Sequence, residues 1–227
     1  AVARYVECRS LMGGVTTTQG IAKADGTYYR GLIRNEEFPD DPSWPAAEGQ
    51  TLDYAPPDIR SKLVPALKVD RAFFYHLAEG TDAEARQRFL DLRLDDQNWA
   101  INGHLIAIHC VALKPDDFGP LSAAAGMVWS PLSNFLLYGS TADIVSARNH
   151  SVRIALGSDW GPSGSKNLLG ELKVARVASD FLGASLTDED LVRMVTTAPA
   201  AMLGWDGHVG SLEQGKRADL LILDGAV

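Results

Sequence analysis

The amino-acid sequence predicts an α/β fold in which short strands form a parallel sheet that helices cover. The main observation is that short apolar runs with β-branched residues alternate along the chain with segments of helical periodicity, which is the pattern of repeated strand–helix units. A second observation is the hydrophobic fraction of 46% in 227 residues, which is ordinary for a globular protein. A chain of this length can bury the core of one barrel-sized domain or of two small ones.

The predicted elements follow one another from the first residues onward. A helical pattern opens the chain and closes at Gly13-Gly14. Strands are expected at residues 15–18, 28–33, 72–77, 105–110, 127–129 and 153–156, and helices at residues 61–68, 82–94, 116–125, 140–149 and 167–182. No convincing strand lies between Ile33 and Ala72. Residues 36–58, which are rich in proline and acidic residues, predict instead a long loop that could form a lid over a site.

The alternation of strands and helices stops after residue 182. Thr187 precedes three acidic residues and is a good N-cap for one further helix. A second short helix is expected near residues 199–203. Residues 210–219 then predict a turn that leads into a strand at residues 219–224, which we assign to a different sheet.

Charge and composition exclude several classes of function. The formal net charge is −8 and the chain has no block of Lys or Arg, which argues against a nucleic-acid partner. The sequence has no run of 18 apolar residues, so we expect no membrane span. The first residues also lack the layout of a signal peptide. The two cysteines, Cys8 and Cys110, are far apart, so neither a disulfide framework nor a cysteine–zinc module is expected, and we predict a cytoplasmic location.

Three side chains of the kind that bind metal ions follow the predicted strands. His76 and His109 end two consecutive apolar runs, and Asp159 follows the run at residues 153–156. In a (β/α)₈ barrel the C-terminal ends of the strands face one common cavity, so polar residues there indicate a catalytic site. A single histidine at a strand end is more often structural, but three such residues in this order favour a site for a metal ion.

The chain also carries short motifs in an order that resembles one known family. These motifs are Gly14-Val-Thr-Thr17, His76-Leu-Ala-Glu79, Ala107-Ile-His109-Cys, Ser130-Pro-Leu-Ser-Asn134, Leu156-Gly-Ser-Asp159 and the segment from Gly210 to Asp219. Together they resemble the metal-dependent amidohydrolases, and within them the branch of cytosine deaminase, guanine deaminase and the triazine chlorohydrolases. The resemblance covers nearly the whole chain, and it implies a (β/α)₈, TIM-like barrel.

The resemblance implies a role for each polar residue of these motifs. His76 would bind the metal ion through an imidazole nitrogen, and Glu79 would be the proton shuttle that protonates the substrate. His109 would polarise the substrate beside the metal-bound water, either as a ligand or just behind the ligands. Asp159 would bind the metal ion and accept the proton of the attacking water. The implied cofactor is one divalent ion, zinc or iron, which lowers the pKa of its water to roughly 7.

The sequence departs from this family at the first strand of the barrel. Family members carry a His-x-His pair at the end of that strand, and this chain has no such pair. The other histidines are His104, His150 and His208. We therefore expect the first strand to precede Ala1.

A missing first strand has consequences for the domain organisation. We expect an incomplete barrel at residues 1–205 and the first strand of a small β-sandwich domain at residues 206–227. The barrel should have a gap beside the strand at residues 15–18. An open sheet edge of this kind invites pairing, so we expect a second copy of the chain, or another chain segment, to fill it.

Four further residues are candidates for contact with the substrate. Trp129 and Trp160 lie at strand ends and could stack on a planar substrate, although packing at the barrel rim explains them equally well. Ser163 and Ser165 closely follow Asp159, in a glycine- and serine-rich segment that lacks the phosphate-loop pattern.

The sequence thus predicts an enzyme that hydrolyses a C–N or C–Cl bond of a nitrogen heterocycle, or a cyclic amide. The spacing from His76 to Glu79 favours deamination, and the expected partner is a small-molecule substrate. Two alternatives stay open. One is a two-metal dipeptidase or lactonase on the same fold, for which we find no lysine at a strand end as a bridging ligand. The other is an inactive barrel that serves as a binding or assembly subunit.

Overall fold

The computed structural model describes residues 2–19, 32–222 and 224, and within them strands and helices alternate. The strands are β1 (Thr17–Thr18), β2 (Arg34–Asn35), β3 (Glu48–Gln50), β4 (Phe73–Leu77), β5 (Leu105–His109), β6 (Gly126–Trp129) and β7 (Ile154–Leu156). The helices are α1 (Val2–Met12), α2 (Pro56–Asp58), α3 (Val64–Ala66), α4 (Ala83–Leu90), α5 (Phe118–Leu121), α6 (Pro131–Tyr138), α7 (Ile144–Asn149), α8 (Leu168–Leu182), α9 (Asp188–Val195) and α10 (Thr197–Leu203). A π-helical segment, Ile59–Leu63, joins α2 to α3, and a 3₁₀ turn, Pro115–Asp117, precedes α5.

The strands of the described residues pair in parallel. Five of them form one sheet in the order β3-β4-β5-β6-β7, and β1 pairs with β2 in a second sheet. The backbone of Glu36 joins the two sheets, because its N–H donates to Thr18 O at 3.0 Å and its carbonyl accepts from Ala47 N at 2.7 Å. The predicted α/β fold with a parallel sheet is confirmed.

The two sheets form part of a barrel. Among the described strands, β1 pairs only with β2 and β7 pairs only with β6, so no described strand joins β1 to β7. The end of α1 nevertheless lies against the start of α8, where Leu169 N donates to Gly13 O at 3.3 Å. The first and last strand–helix units thus approach each other, as they do in a barrel, and the fold agrees with the predicted incomplete barrel. The expectation that a first strand precedes Ala1 stays a prediction.

The strand β3 corrects the sequence analysis, which found no strand between Ile33 and Ala72. Its residues, Glu48–Gln50, pair in parallel with Phe73, Phe74 and Tyr75 of β4. The strand has three residues and no apolar side chain, so it carries neither the length nor the alternation by which strands are recognised. The expected long loop at residues 36–58 is therefore interrupted by a strand of the sheet. Of the strand expected at residues 28–33, residues 28–31 lie outside the described residues.

Most helices lie where the sequence predicts them, and two were not expected. Side chains of Asp82, Asn167 and Thr187 cap the starts of α4, α8 and α9, and each accepts a hydrogen bond from a backbone N–H three residues on. The unexpected helices are α6, which begins directly after Ser130, and the single turn α2 at Pro56–Asp58. No helix among the described residues is long and apolar enough to cross a membrane.

Alternating residues of the central strands enter two hydrophobic cores on opposite faces of the sheet. Phe73, Tyr75 and Leu77 pack with one group of buried residues, and Phe74 packs with the other. The second face also holds Ile106, Ile108, Trp44 and Trp205. By this alternation His76 shares a face with Phe74.

The last described residues pack against β2 and the segment that follows it. Arg34 forms a two-nitrogen ion pair with Asp219, in which Nη2 lies 2.7 Å from Oδ1. The ring of Trp44 stacks on His208, with centroids 4.7 Å apart, and Arg217 lies over the same ring at 4.9 Å. Residues 219–222 form no strand, and residues 223 and 225–227 lie outside the described residues. A separate β-sandwich domain from residue 206 onward stays a prediction.

The turn after β7 depends on a glycine. Backbone N–H groups of Ser163 and Gly164 donate to Trp160 O at 3.3 and 2.8 Å, which folds the chain back onto itself. A Cβ atom on Gly164 would lie 1.7 Å from the carbonyl oxygen of Ser158, next to Asp159. No side chain fits in this space, so the position of Asp159 depends on a glycine at residue 164.

We expect Gly164→Ala to displace this turn. The overlap with Ser158 O must be relieved by backbone movement, so the free energy of unfolding should fall by about 1–3 kcal/mol, as measured by urea denaturation. The matched control is Gly161→Ala in the same turn, because a Cβ atom there meets nothing within 4 Å. Equal stability of the two variants would contradict the tight packing of the turn.

Candidate functional site

Two histidines meet at the carboxyl edge of the five-stranded sheet. His76 is the penultimate residue of β4, and His109 is the last residue of β5, where it pairs with Leu77. Their ring centroids are 5.4 Å apart. Strict alternation would place His109 on the face of Leu105 and Ala107, opposite to His76. The backbone of His109 instead has φ 71°, which breaks the alternation and turns its ring toward His76.

Several residues just after the strands adopt the left-handed backbone conformation. Besides His109, they include Ala78 (φ 51°), Cys110 (φ 57°) and Asp159 (φ 58°). Each costs of order 1–3 kcal/mol in a residue other than glycine, and such residues concentrate at functional sites. Cys110 N donates to Leu77 O at 3.0 Å, so the parallel pairing extends past the strands and holds these turns.

The strand β3 sets the orientation of the His76 ring. The Nδ1 atom of His76 lies 3.2 Å from the carbonyl oxygen of Gln50, the last residue of β3. A carbonyl can only accept, so Nδ1 carries the proton in the neutral ring and Nε2 keeps its lone pair. Metal-binding histidines are commonly oriented by such a bond from the other ring nitrogen.

Glu79 lies next to His109 and is bound by a tyrosine. Tyr138 at the end of α6 donates its hydroxyl to Glu79 Oε1 at 2.8 Å, and His109 Nε2 is 3.4 Å from the same oxygen. Burial and the hydrogen bond to Glu79 raise the pKa of Tyr138, which keeps the phenol protonated as a donor. Burial lowers the pKa of His109, against the raising effects of Glu79 and Asp159.

The opposite side of His109 contacts buried polar side chains. Asn134 Nδ2 lies 3.1 Å from His109 Nδ1, and Thr141 Oγ1 lies 3.1 Å from Asn134 Oδ1. Trp129 donates its indole N–H to Thr141 Oγ1 at 2.7 Å. His109, Asn134 and Trp129 are at most 1% exposed, so the hydrogen bonds among these side chains are shielded from solvent.

Asp159 is oriented by donors from two segments. Trp160 N donates to Oδ1 at 2.7 Å, and Ser133 of α6 donates its hydroxyl to Oδ2. The hydroxyl oxygens of Ser133 and Ser163 are 3.1 Å apart. The carboxylate thus has a defined direction at the edge of the sheet, near enough to His109 to affect its pKa.

The structure separates the four candidates for substrate contact. Trp129 is fully buried and bonded to Thr141, so it has no free ring face, and the prediction that it stacks on a substrate is wrong for this structure. Ser163 and Ser165 are buried beside the turn that holds Asp159. Trp160 is 66% exposed and has a free ring.

Asp53 was not recognised as a site residue from the sequence. It follows β3 by three residues, and its Oδ1 is enclosed without a hydrogen-bond partner among the described residues. Burial and the charge of Glu79 raise its pKa to about 6, against the lowering effects of Arg88 and His76. No motif marks this residue, because its place at the sheet edge follows from the strand that the sequence analysis missed.

The described residues offer part of a metal-binding shell. His76 has a free Nε2 and Asp159 has an oriented carboxylate, which are the donors that zinc and iron accept. No group of three or more His, Cys, Asp or Glu that could hold a metal ion occurs within residues 2–19, 32–222 and 224. These two side chains fit such an ion by chemistry, and they make up fewer than the three or four protein ligands that zinc takes.

The chain resembles several known enzymes in sequence. It is 32% identical over 129 residues to a 5-methylthioadenosine/S-adenosylhomocysteine deaminase of Symbiobacterium thermophilum, a match that covers 53% of this chain and 29% of that protein. It is 30% identical over 129 residues to an S-triazine hydrolase of Gordonia rubripertincta, covering 55% of this chain and 27% of that protein. The matches thus span less than a third of these relatives.

The fold resembles solved structures over almost the whole chain. An adenosine deaminase from Xanthomonas campestris with bound zinc superposes with a TM-score of 0.70 at 20% identity, covering 96% of this chain and 60% of that one. An atrazine chlorohydrolase from Arthrobacter aurescens with zinc gives 0.74 at 19% identity, covering 96% and 62%. The model of the amidohydrolase family matches residues 68–227, which include His76, His109 and Asp159. By this match over most of its length, the chain belongs to the amidohydrolase family.

Proposed function

We propose that the protein is a metal-dependent hydrolase that removes an amino group, or a chloride, from a nitrogen heterocycle. The observation that carries this proposal is the grouping of Glu79 and His109 beside His76 at the carboxyl edge of the sheet. The relatives named for deamination and for triazine hydrolysis support the choice of substrate class. Deamination is the preferred reaction, because Glu79 lies where a carboxylic acid can protonate a ring nitrogen or a departing amine.

His76 and Asp159 would be two of the ligands of one divalent ion, zinc or iron. When bound, such an ion makes water acidic enough to serve as a nucleophile near neutral pH. A bridged pair of ions is less favoured, because β3 ends in Gln50, whose amide is not a bridging ligand. The zinc named in the two similar solved structures supports zinc as the choice of ion.

The protein's own side chains would move the protons and orient the substrate. Asp159, fixed by Ser133 and Trp160 N, would take the proton of the attacking water. Glu79 would pass a proton to the substrate through Oε2, because Oε1 is already occupied by the Tyr138 hydroxyl. The exposed ring of Trp160, directly after Asp159, would stack on the planar heterocycle.

Two further proposals concern the partner of the chain and its location. A second copy of the chain, or another segment, would lie beside β1, which pairs on one side only among the described strands. We also propose a cytoplasmic location, supported by Cys8 and Cys110, which are both free thiols.

Replacing His76 by Ala should lower metal content and turnover together. The variant removes the imidazole whose Nε2 is free for the ion. Metal analysis and assays on aminated purines, pyrimidines and triazines measure the two effects. The control is His104→Ala, which lies directly before β5 at the opposite edge of the sheet from His76 and should change neither. Metal retained at the level of the unaltered protein would exclude His76 as a ligand.

Replacing Glu79 by Gln should leave the metal content unchanged and slow turnover by about 10²–10⁴-fold. The amide keeps the size of the side chain and an acceptor for Tyr138 but has no proton to transfer. The control is Glu84→Gln, an exposed carboxylate of α4 paired with Arg88, which should retain full activity. Full activity of Glu79→Gln would exclude a proton shuttle at this position, and loss of metal would make Glu79 a ligand.

A further inference from the structure

The hydrogen bonds behind His109 run in one direction. They begin at Trp129, whose indole Nε1–H can donate and never accept. It donates to Thr141 Oγ1 at 2.7 Å, so Thr141 is the acceptor of that bond. The hydroxyl proton of Thr141 then points to Asn134 Oδ1, which lies at 3.1 Å.

This direction sets the orientation of the Asn134 amide. Because Oδ1 accepts from Thr141, Nδ2 faces His109 and lies 3.1 Å from its Nδ1 atom. In the reversed amide, two N–H groups would point at the Thr141 oxygen, and the hydroxyl proton would be buried without an acceptor. An amide nitrogen only donates, so Nδ1 of His109 carries a lone pair and the ring proton lies on Nε2.

We propose that Trp129, Thr141 and Asn134 are positioning residues that hold His109 in the tautomer with its proton on Nε2. His109 then donates a hydrogen bond to the substrate and does not bind the metal ion through that nitrogen. The role toward a substrate rests on the proposed hydrolase function, whereas the tautomer is a property of the protein alone.

The surroundings of Nε2 fit a donor that awaits a substrate atom. The Nε2 atom faces Glu79 Oε1 at 3.4 Å, a distance too long for a good hydrogen bond. That oxygen is already bonded to Tyr138 at 2.8 Å. The substrate should therefore present an acceptor to His109, either a carbonyl oxygen or a ring nitrogen that carries no proton.

Burial is what allows distant residues to control the tautomer. Thr141 is 9% exposed, and Asn134 and Trp129 are not exposed at all. Water cannot replace a missing partner at these positions without opening the core. A change at Thr141, whose hydroxyl bonds to Trp129 and Asn134, should therefore reach His109 through the amide of Asn134.

The tautomer can be read directly from nitrogen NMR of protein labelled with ¹⁵N-histidine, with His109→Gln used to assign the signals. We expect Nε2 protonated and Nδ1 bare in the unaltered protein. Thr141→Val keeps the shape but removes the hydroxyl, so the amide can turn and the Nδ1–H tautomer should become detectable. Thr141→Ser restores the hydroxyl and should restore the single tautomer. A bare Nε2 in the unaltered protein, or no change in Thr141→Val, would overturn the proposal.

Asn134→Asp gives a second test if Thr141→Val fails to fold. A carboxylate only accepts, so the proton of His109 should move to Nδ1. If it stays solely on Nε2 in this variant, Asn134 does not determine the tautomer and the proposal fails.

Turnover separates this proposal from the proposed function. Thr141→Val should lose about 10–100-fold in turnover with unchanged metal content, and Thr141→Ser should recover it. The expected tautomers in a protein that hydrolyses no heterocycle would uphold the positioning residues and refute the hydrolase. Heterocycle hydrolysis by the unaltered protein, with unchanged tautomers in Thr141→Val, would uphold the hydrolase and refute the positioning residues.

Discussion

The parallel alignment of β3 to β7 is the constraint on which the rest of the site depends. Parallel strands deliver every carboxyl end to the same edge, so residues far apart in sequence reach one place without a dedicated loop. The alignment also supplies a backbone carbonyl, from Gln50, to the ring of His76. The turns past β4 and β5 continue the pairing, which holds their residues in conformations that they would leave if they were free.

The polar side chains around His109 show how such a site is stabilised in a buried place. A buried polar group costs free energy when it has no partner. Partners are present here for the indole N–H of Trp129, the hydroxyl of Thr141, the amide of Asn134 and Nδ1 of His109. Helix α6 supplies much of this order, with Ser133 toward Asp159, Asn134 toward His109 and Tyr138 toward Glu79. One short helix therefore connects the three polar groups that the proposed chemistry requires.

The sequence predicted the fold and the strand ends because both depend on local patterns. Apolar runs that end in His76 and His109 are visible without any structure. The strand β3 was missed because its three residues are polar and only their pairing with β4 defines them. Asp53 was missed with it. For Trp129 the sequence left stacking on a substrate and packing equally open, because a strand-end position does not show which face of the sheet a ring enters. In the structure the ring enters the core.

The left-handed backbone at His109 and Asp159 lowers the stability of the fold at two residues that the proposed function requires. A glycine adopts this conformation at no steric cost, so selection for stability alone would favour glycine at both positions. An imidazole and a carboxylate there are a trade-off that the proposed function would explain. In a lineage that had lost the proposed activity, we expect these residues to be among the first to change, and glycine or asparagine at either position would indicate that loss.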